Sequence, residues 1–588
     1  MPSLFRALRL WAGKPIRWVP PLLSLTFIFW LLGPRLFHVG LPPPHRLHNG
    51  LPPPIGHPHR PPNRVPLGSD TENLVWPKRA NEVRRAFIHA YEGYRANAFK
   101  ADELLPVSGK KVDNFNGWGV TIYDALDTMW IMGFDDYFNE AVEIIAQADF
   151  VIPPSDYVPF FETIIRYLGG LLSAYSLSGK SVLLEKADEL GGLLLPAFGT
   201  KSGLPMFAIN PQNKRVRGGW TGATLWAEAM SNQMEYKYLA HLTGKREYFD
   251  KAEHVMQIMY DSNITDGLFP TMWDTLTAEP SNAQFSVGAF ADSAHEYLLK
   301  QWLLTGRSET KIRDLYLQVT HAIIHNLLYL PPDRDFLYVT DTRFTPSNKS
   351  HPHVPSHTFE HLSCFLPGLL ALGTVTLKES EFPSADEREL HLWAAEGLAY
   401  ACWLSYADQK TGLGPDEMTV SSWPETDSGT KKGLWVDLVD EWKKDGKPLR
   451  RPPGLREVPP EDRSDRREYM NRKHTYLLRP ETVESFYILW RTTGDERWRE
   501  RGWAVFQSIE RYAKTEYGYA SINEVDSDAP TLKDEMPSYF MAETLKYLYL
   551  LFTDEEIIPL DKWVFNTEAH PLPIFEWTAE EKAAYKIS

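Results

Sequence analysis

Residues 477 to 495, LLRPETVESFYILWRTTGD, set two carboxylates, Glu481 and Glu484, one helical turn apart at the start of a segment that turns apolar by Phe486. Acids in a first turn complement the helix dipole and Pro480 suits a helix start, so one such segment carries no chemistry by itself. The arrangement recurs along the chain. Glu162, Glu228, Asp292 with Glu296, His361 and Glu543 each stand some 10 to 17 residues ahead of a turn that closes an apolar helical pattern. At about 1.5 Å per residue, these groups gather at the helix ends opposite the turns. Carboxylates collected in one pocket suit acid–base work, with one held protonated by its neighbours and one ionised. Hydrolysis of a glycosidic bond uses such a pair, an acid protonating the leaving oxygen while a base activates water. Phe160, Phe161, Tyr539 and Phe540 flank Glu162 and Glu543, where aromatic faces can stack on sugar rings.

The elements that must position these groups are read from internal repetition. Turns marked by Gly133, Gly179, Gly244, Gly306, Gly373, Gly494 and Thr553 are spaced 46, 65, 62, 67, 121 and 59 residues apart. Each follows an apolar helical pattern and precedes a second helix that starts with charged residues. No convincing run of alternating strand pattern lies between them. Seven helical hairpins predict an all-α toroid closed as one domain, with an irregular insertion in the long gap.

The chain has 588 residues and a formal charge of −15. Residues 1 to 69 hold eight Lys or Arg and no acid, so the remainder carries 54 bases against 77 acids. A body this acidic is a poor partner for nucleic acid. No Gly-rich phosphate loop and no serine nucleophile elbow is present. The uncharged run Trp18–Gly33 follows four basic residues and reads as a signal anchor with the N-terminus cytosolic. Eleven prolines between residues 34 and 66 suit an extended stem. The expected organisation is a cytosolic tail (1–17), a membrane anchor (18–37), a Pro-rich stem (38–75) and a lumenal domain (76–588) with a solvated surface insertion at 424–473. Sequons at Asn263 and Asn348 fit that compartment. Cys364 and Cys402 either pair there or remain two buried thiols.

The blocks DALDTMWIMGF, FETIIRYLGGLLSAYSLSG, DSAHEYLLKQWLLTG, HLSCFLPGLLAL, LLRPETVESFYILWRTTGD, MAETLKYLYLLF and FNTEAHP resemble the signature blocks of class I α-1,2-mannosidases, glycoside hydrolase family 47. The similarity runs from about residue 80 to 573. It implies an (α/α)7 barrel, an inverting exo-hydrolase that trims terminal α-1,2-linked mannose from high-mannose N-glycans, and a bound Ca²⁺. It also implies a monomeric type II membrane protein of the Golgi or endoplasmic reticulum. Position by position, it makes Glu162 and Asp292 the candidates for the general acid and Glu481 the base. It places Arg166, His361, Arg479, Glu484, Tyr539, Glu543 and Glu568 on the substrate pocket. Thr567 matches the residue that binds Ca²⁺ through its carbonyl and hydroxyl. The cysteines coincide with the family's single disulfide.

Some positions depart from the family pattern. Ala294 and His295 stand where aromatics are usual, Pro537 and Tyr539 where Glu and Phe are usual, and GLGPDEMTV replaces another block. Phe290 occupies a position where members that remove one specific mannose carry Arg, which leans toward a multi-mannose, Golgi-type specificity. His351, His353, His357 and His361 form a histidine-rich run whose last pair has zinc-compatible spacing, although His361 already has a pocket role. The alternative function is a glycan-binding quality-control lectin of the same fold, similar to the degradation-enhancing mannosidase-like proteins, with little hydrolysis.

Overall fold

A computed structural model of the chain describes residues 74–347, 352–424 and 433–587. The tail, the anchor, nearly all of the stem and the sequon at Asn348 lie outside the described residues. Within them, no helix is long and apolar enough to cross a membrane, and Asn263 is exposed.

Among the described residues, fourteen helices build a ring of seven pairs. In chain order they are α1 (Val75–Asn97), α2 (Leu126–Met132), α3 (Asp135–Ile145), α4 (Gly169–Ser178), α5 (Ser181–Leu194), α6 (Gln233–Thr243) and α7 (Arg246–Asp261), followed by α8 (Asp292–Leu304), α9 (Thr310–Asn326), α10 (Leu366–Thr376), α11 (Ala385–Ala407), α12 (Glu481–Thr493), α13 (Arg497–Tyr512) and α14 (Leu545–Phe552). The even-numbered helices form the inner ring. Each packs on the next from α2 to α14, and the π-helical turn Phe540–Thr544 that leads into α14 packs back on α2. Burial separates the two rings. Every residue of α14, and of α8 beyond Asp292, is buried, whereas α3 buries one stripe, Phe138, Ala141, Val142 and Ile145, as expected of helices facing a core on one side.

The all-α toroid of seven pairs is present, with two differences from the sequence reading. The seventh pair is discontinuous. The partner of α14 is the N-terminal helix α1, which follows no turn marker, while the chain after Thr553 turns into a β-hairpin. Gly373 is not a turn. It sits inside α10, where a Cβ would come within 2.3 Å of the Tyr316 hydroxyl, so the glycine marks a close contact between helices. The markers Gly133, Gly179, Gly244, Gly306 and Gly494 do adopt positive φ, between 61° and 83°.

Short antiparallel ladders decorate the ring, and they bear on function at two places. Strands β1 (Thr358–Glu360), β2 (Glu417–Val420) and β3 (Tyr469–Lys473) form one sheet in the order β1-β2-β3, feeding the chain toward His361 and Arg479. Strands β4 (Trp563–Phe565) and β5 (Pro571–Pro573) form a hairpin that packs between α8 and α4. The turn of this hairpin carries Thr567 and Glu568 into the ring.

The insertion departs from a solvated loop. Its helix Trp435–Lys444 buries Trp435, Val439 and Trp442, Arg467 is 2% exposed and pairs with Asp526 at 2.9 Å, and β3 completes a sheet. Apolar and aromatic residues spaced along a charged segment supply one buried face. Cys364, in the turn leading to α10, and Cys402 in α11 form a disulfide, so the first of the two alternatives holds.

Candidate active site

The inner-ring helices converge at one end on an open cavity of about 210 Å³. Glu162, Arg166, Asp292, Glu296, Arg479 and Glu481 line it, together with Glu484, Tyr539, Glu543, Thr567 and Glu568. The helix-start polar groups expected to share a pocket therefore do so, with two exceptions, Glu228 and His361. Glu228 is not among the lining residues, and its Oε1 accepts from the Trp220 indole at 3.2 Å. His361 lies behind the lining. Its Nδ1 is 2.9 Å from Glu481 Oε2 and its Nε2 is 2.5 Å from the Tyr406 hydroxyl. With Tyr406 donating to Nε2, Nδ1–H donates to Glu481, so the imidazole orients that carboxylate.

Local structure explains how each group is aimed. Glu481 is the first residue of α12. The preceding Leu478 is held at φ 60° by Thr544, whose hydroxyl donates to the Leu478 carbonyl at 2.6 Å. Tyr539 donates to the Leu477 carbonyl at 2.7 Å. Backbone strain of this kind persists where the surroundings over-determine it. Arg479 Nε donates to Asp416 at 3.0 Å, with its Nη1 4.0 Å from Glu481. On the opposite wall, the π-helical segment Thr163–Leu168 carries Arg166. Arg166 clamps Glu162 at 2.8 Å and also pairs with Glu568 and Asp124. The two π-helical segments, at Arg166 and at Glu543, have no periodic signature in the sequence; such turns recur at functional sites.

The Thr567 turn is fixed from below. The Asn566 amide donates to the Ile165 carbonyl and to Glu235, while its oxygen accepts the Glu568 and His570 N–H groups at 2.9 and 2.8 Å. Gly169 lets α4 pass close by, since a Cβ there would meet the Asn566 side chain at 2.6 Å. Under the turn lies a fully buried cluster. Asp127 pairs with Lys546 and His570, both at 2.8 Å, and all three are 0% exposed. Burial raises the Asp127 pKa, but Lys546 and His570 outweigh it and hold the group at about 2. Replacing Lys546 by Met removes one of the two cations that hold the buried Asp127 carboxylate and leaves His570 alone with it, and a loss of about 3 kcal/mol at neutral pH is expected in denaturant unfolding. The loss should shrink in acid, where Asp127 of the variant protonates. A pH-independent loss would point to packing alone.

The electrostatics of the cavity are dominated by crowded carboxylates. Burial, opposed by a Ser293 N–H bond and reinforced by Glu296, Glu360 and Glu481, pushes Asp292 up to about 8. Burial and then Glu568 hold Glu543 well above the usual carboxylate range. Burial also raises Glu568, against the opposing pull of Arg166, and raises Glu484 against Lys300. Thr567 Oγ1 donates to Glu296 Oε1 at 3.0 Å, and Lys300 closes on the other oxygen of Glu296. The lining offers oxygen donors and no His or Cys. An excess of buried negative charge with oxygen-only donors fits a hard cation such as Ca²⁺.

Lys300, Asp124 and Asp416 support the cavity but were not singled out from sequence. Lys300 had one available signal, the i,i+4 spacing from Glu296. The histidine-rich run does not assemble. His353 pairs with Asp266 at 2.9 Å, His357 Nδ1 lies 2.8 Å from the Tyr338 hydroxyl, and His351 lies outside the described residues. His295, buried and kept neutral near pKa 4, lies 2.9 Å from the Ser286 carbonyl.

The sequence profile of glycosyl hydrolase family 47 matches residues 86–574. The chain is 38% identical over 514 residues to the rat protein named endoplasmic reticulum mannosyl-oligosaccharide 1,2-alpha-mannosidase, covering 85% of this chain and 68% of that one. It is 31% identical over 525 residues to the fruit-fly protein named mannosyl-oligosaccharide alpha-1,2-mannosidase IA, covering 87% and 70%. The solved structure of an alpha-1,2-mannosidase from Trichoderma reesei superposes with a TM-score of 0.72 at 28% identity, over 85% of this chain and 99% of that one. With its (α/α)7 barrel and a profile match that spans every inner helix and the Thr567 turn, the chain belongs to glycosyl hydrolase family 47.

Proposed function

We propose that the protein is an inverting exo-α-1,2-mannosidase that removes terminal α-1,2-linked mannose from high-mannose N-glycans in the secretory pathway. The observation that carries this reading is the pairing, in one cavity, of a carboxyl pushed toward neutrality with a carboxylate oriented by an imidazole. Asp292, protonated at neutral pH, is the acid that protonates the glycosidic oxygen. Glu481, held by His361, is the base that takes a proton from the attacking water. Water attacks the face opposite the leaving group, so the released mannose is the β-anomer. Glu162, clamped by Arg166, and Arg479 hold sugar hydroxyls, and Tyr539 offers an aromatic face.

Thr567 would hold Ca²⁺ through its hydroxyl and carbonyl, with the surrounding carboxylates reached through water and sugar hydroxyls. The ion would supply a fixed charge that orients the terminal sugar ring. Anchoring by residues 18–37, which would place the domain in the Golgi or endoplasmic reticulum lumen, belongs to the same reading, as does a monomeric state.

The test uses purified full-length protein and a nine-mannose N-glycan, followed by NMR. Release of β-mannose is expected, lost on calcium chelation and restored by adding calcium. If calcium is bound at 100 times its dissociation constant, chelation should also cost about 2.7 kcal/mol of stability. Release of the α-anomer would overturn inversion. Glycan binding with no release would move the protein to the lectin class, and chelator-resistant release would remove the metal.

A further inference from the structure

A second cluster of ligating side chains lies on the outer wall of the ring, where α9 packs on α11. His321 and His325 are four residues apart on α9, and Glu387 and His391 are four apart on α11, so each pair shares one helix face. His321 Nδ1 is 2.9 Å from Glu387 Oε1, and His325 Nε2 is 3.7 Å from Oε2. The two imidazoles lie with centroids 4.0 Å apart and their planes tilted by 35°. One ligand atom from each of His321, His325 and Glu387 falls within 4.8 Å of the others.

His391 supplies an independent observation. It is 0% exposed and its Nε2 points at Glu387 Oε1 from 3.7 Å. Neither of its ring nitrogens has a hydrogen-bond partner. A buried imidazole left unsatisfied is costly and calls for an explanation. Three imidazoles share one carboxylate, and only His321 reaches hydrogen-bond distance; His325 and the buried His391 stay at 3.7 Å.

We propose that His321, His325 and Glu387 form a binding site for a divalent transition metal of the zinc class, with His391 positioning the Glu387 carboxylate from behind. Two imidazole nitrogens and a carboxylate oxygen are a borderline-soft donor set that suits zinc. The cavity, by contrast, offers oxygen alone. A tetrahedral shell with bonds of about 2.0–2.1 Å needs ligand atoms about 3.3 Å apart, which side-chain rotation supplies from the observed spacing. His321 is half exposed, its side chain at 51%, so a water completes the shell. As Glu387 swings toward the metal, His391 Nε2–H closes on its free oxygen, the usual support for a ligating carboxylate. The ion would clip two adjacent hairpins of the ring together, α8–α9 and α10–α11.

The test titrates zinc, and cobalt as a coloured substitute, into chelator-treated full-length protein with calcium in excess. Because residues 38–59 add five further histidines, the readout is the difference between variants. Wild type should bind one more equivalent of zinc than H321A or H325A, each weakening this site by about 100-fold or more. The tetrahedral cobalt band should appear in wild type and be absent from H321A and H325A. His391→Phe should keep the stoichiometry and weaken zinc roughly tenfold. Equal stoichiometry and equal cobalt spectra in wild type and H321A would overturn the site, and unchanged affinity in His391→Phe would remove His391 from it. The exposure of His321 makes H321A a variant expected to fold.

Discussion

Replacing Glu481 by Gln is expected to lower kcat for mannose release by about three orders of magnitude, roughly 4 kcal/mol of transition-state stabilisation, with glycan affinity nearly unchanged. The argument starts from shape. Gln is isosteric with Glu, and its carbonyl oxygen can still accept from His361 Nδ1, which stands 2.9 Å from Glu481 Oε2. The start of α12 and the Leu478 backbone therefore have no reason to move. What disappears is the site that receives the proton of the attacking water, and no other carboxylate lining the cavity is held by an imidazole. A group that acts only in the transition state is lost from kcat and kcat/KM alike, while ground-state binding remains. Initial rates of mannose release by NMR, paired with calorimetric titration of the glycan into the variant, separate the two. A loss of less than tenfold would exclude Glu481 as the base. A large loss accompanied by lost binding would make it a sugar-holding residue instead.

How far these residues could be seen beforehand depends on how local their signals are. Helix-start acids are visible because a first-turn carboxylate ahead of an apolar stripe is a pattern within about ten residues. Their spacing against the turns places Asp292, Glu481 and Glu543 at one end of the ring. The same periodicity could not reveal that α1 closes the ring against α14, since that pairing joins the two ends of the domain. Nor could it distinguish Gly373, conserving space for Tyr316 inside a helix, from glycines that end one, because both leave the same letter in a similar place. Thr567 sits in a turn whose rigidity comes from Asn566 reaching Ile165 and Glu235. Those contacts are hundreds of residues away in sequence, and only the resemblance to a family pointed there. His361 was legible as a polar residue at the correct end. Its position one layer behind Glu481 is set by Tyr406 on α11, which no local pattern encodes.

The alkaline side of the pH profile should belong to Asp292. Burial and the nearby carboxylates Glu296, Glu360 and Glu481 raise this group to about 8, because each disfavours a further negative charge in the cavity. The sign follows directly: below about pH 8 the carboxyl keeps its proton and can donate it to the leaving oxygen, and above it the proton is gone. The rate constant kcat/KM of the wild type is therefore expected to fall as pH rises through about 8, tenfold per unit beyond it. Asp292→Asn keeps the size of the side chain and cannot transfer a proton, so kcat should drop by about 10²–10⁴-fold, and the alkaline limb should vanish with it. Glu162→Gln provides the discriminating comparison. Glu162 is held by Arg166 at 2.8 Å, and its loss should reduce activity while leaving the limb near pH 8 in place. If the limb instead disappears in Glu162→Gln and survives in Asp292→Asn, the acid is Glu162, and the raised affinity of Asp292 for its proton is only a consequence of the crowded pocket.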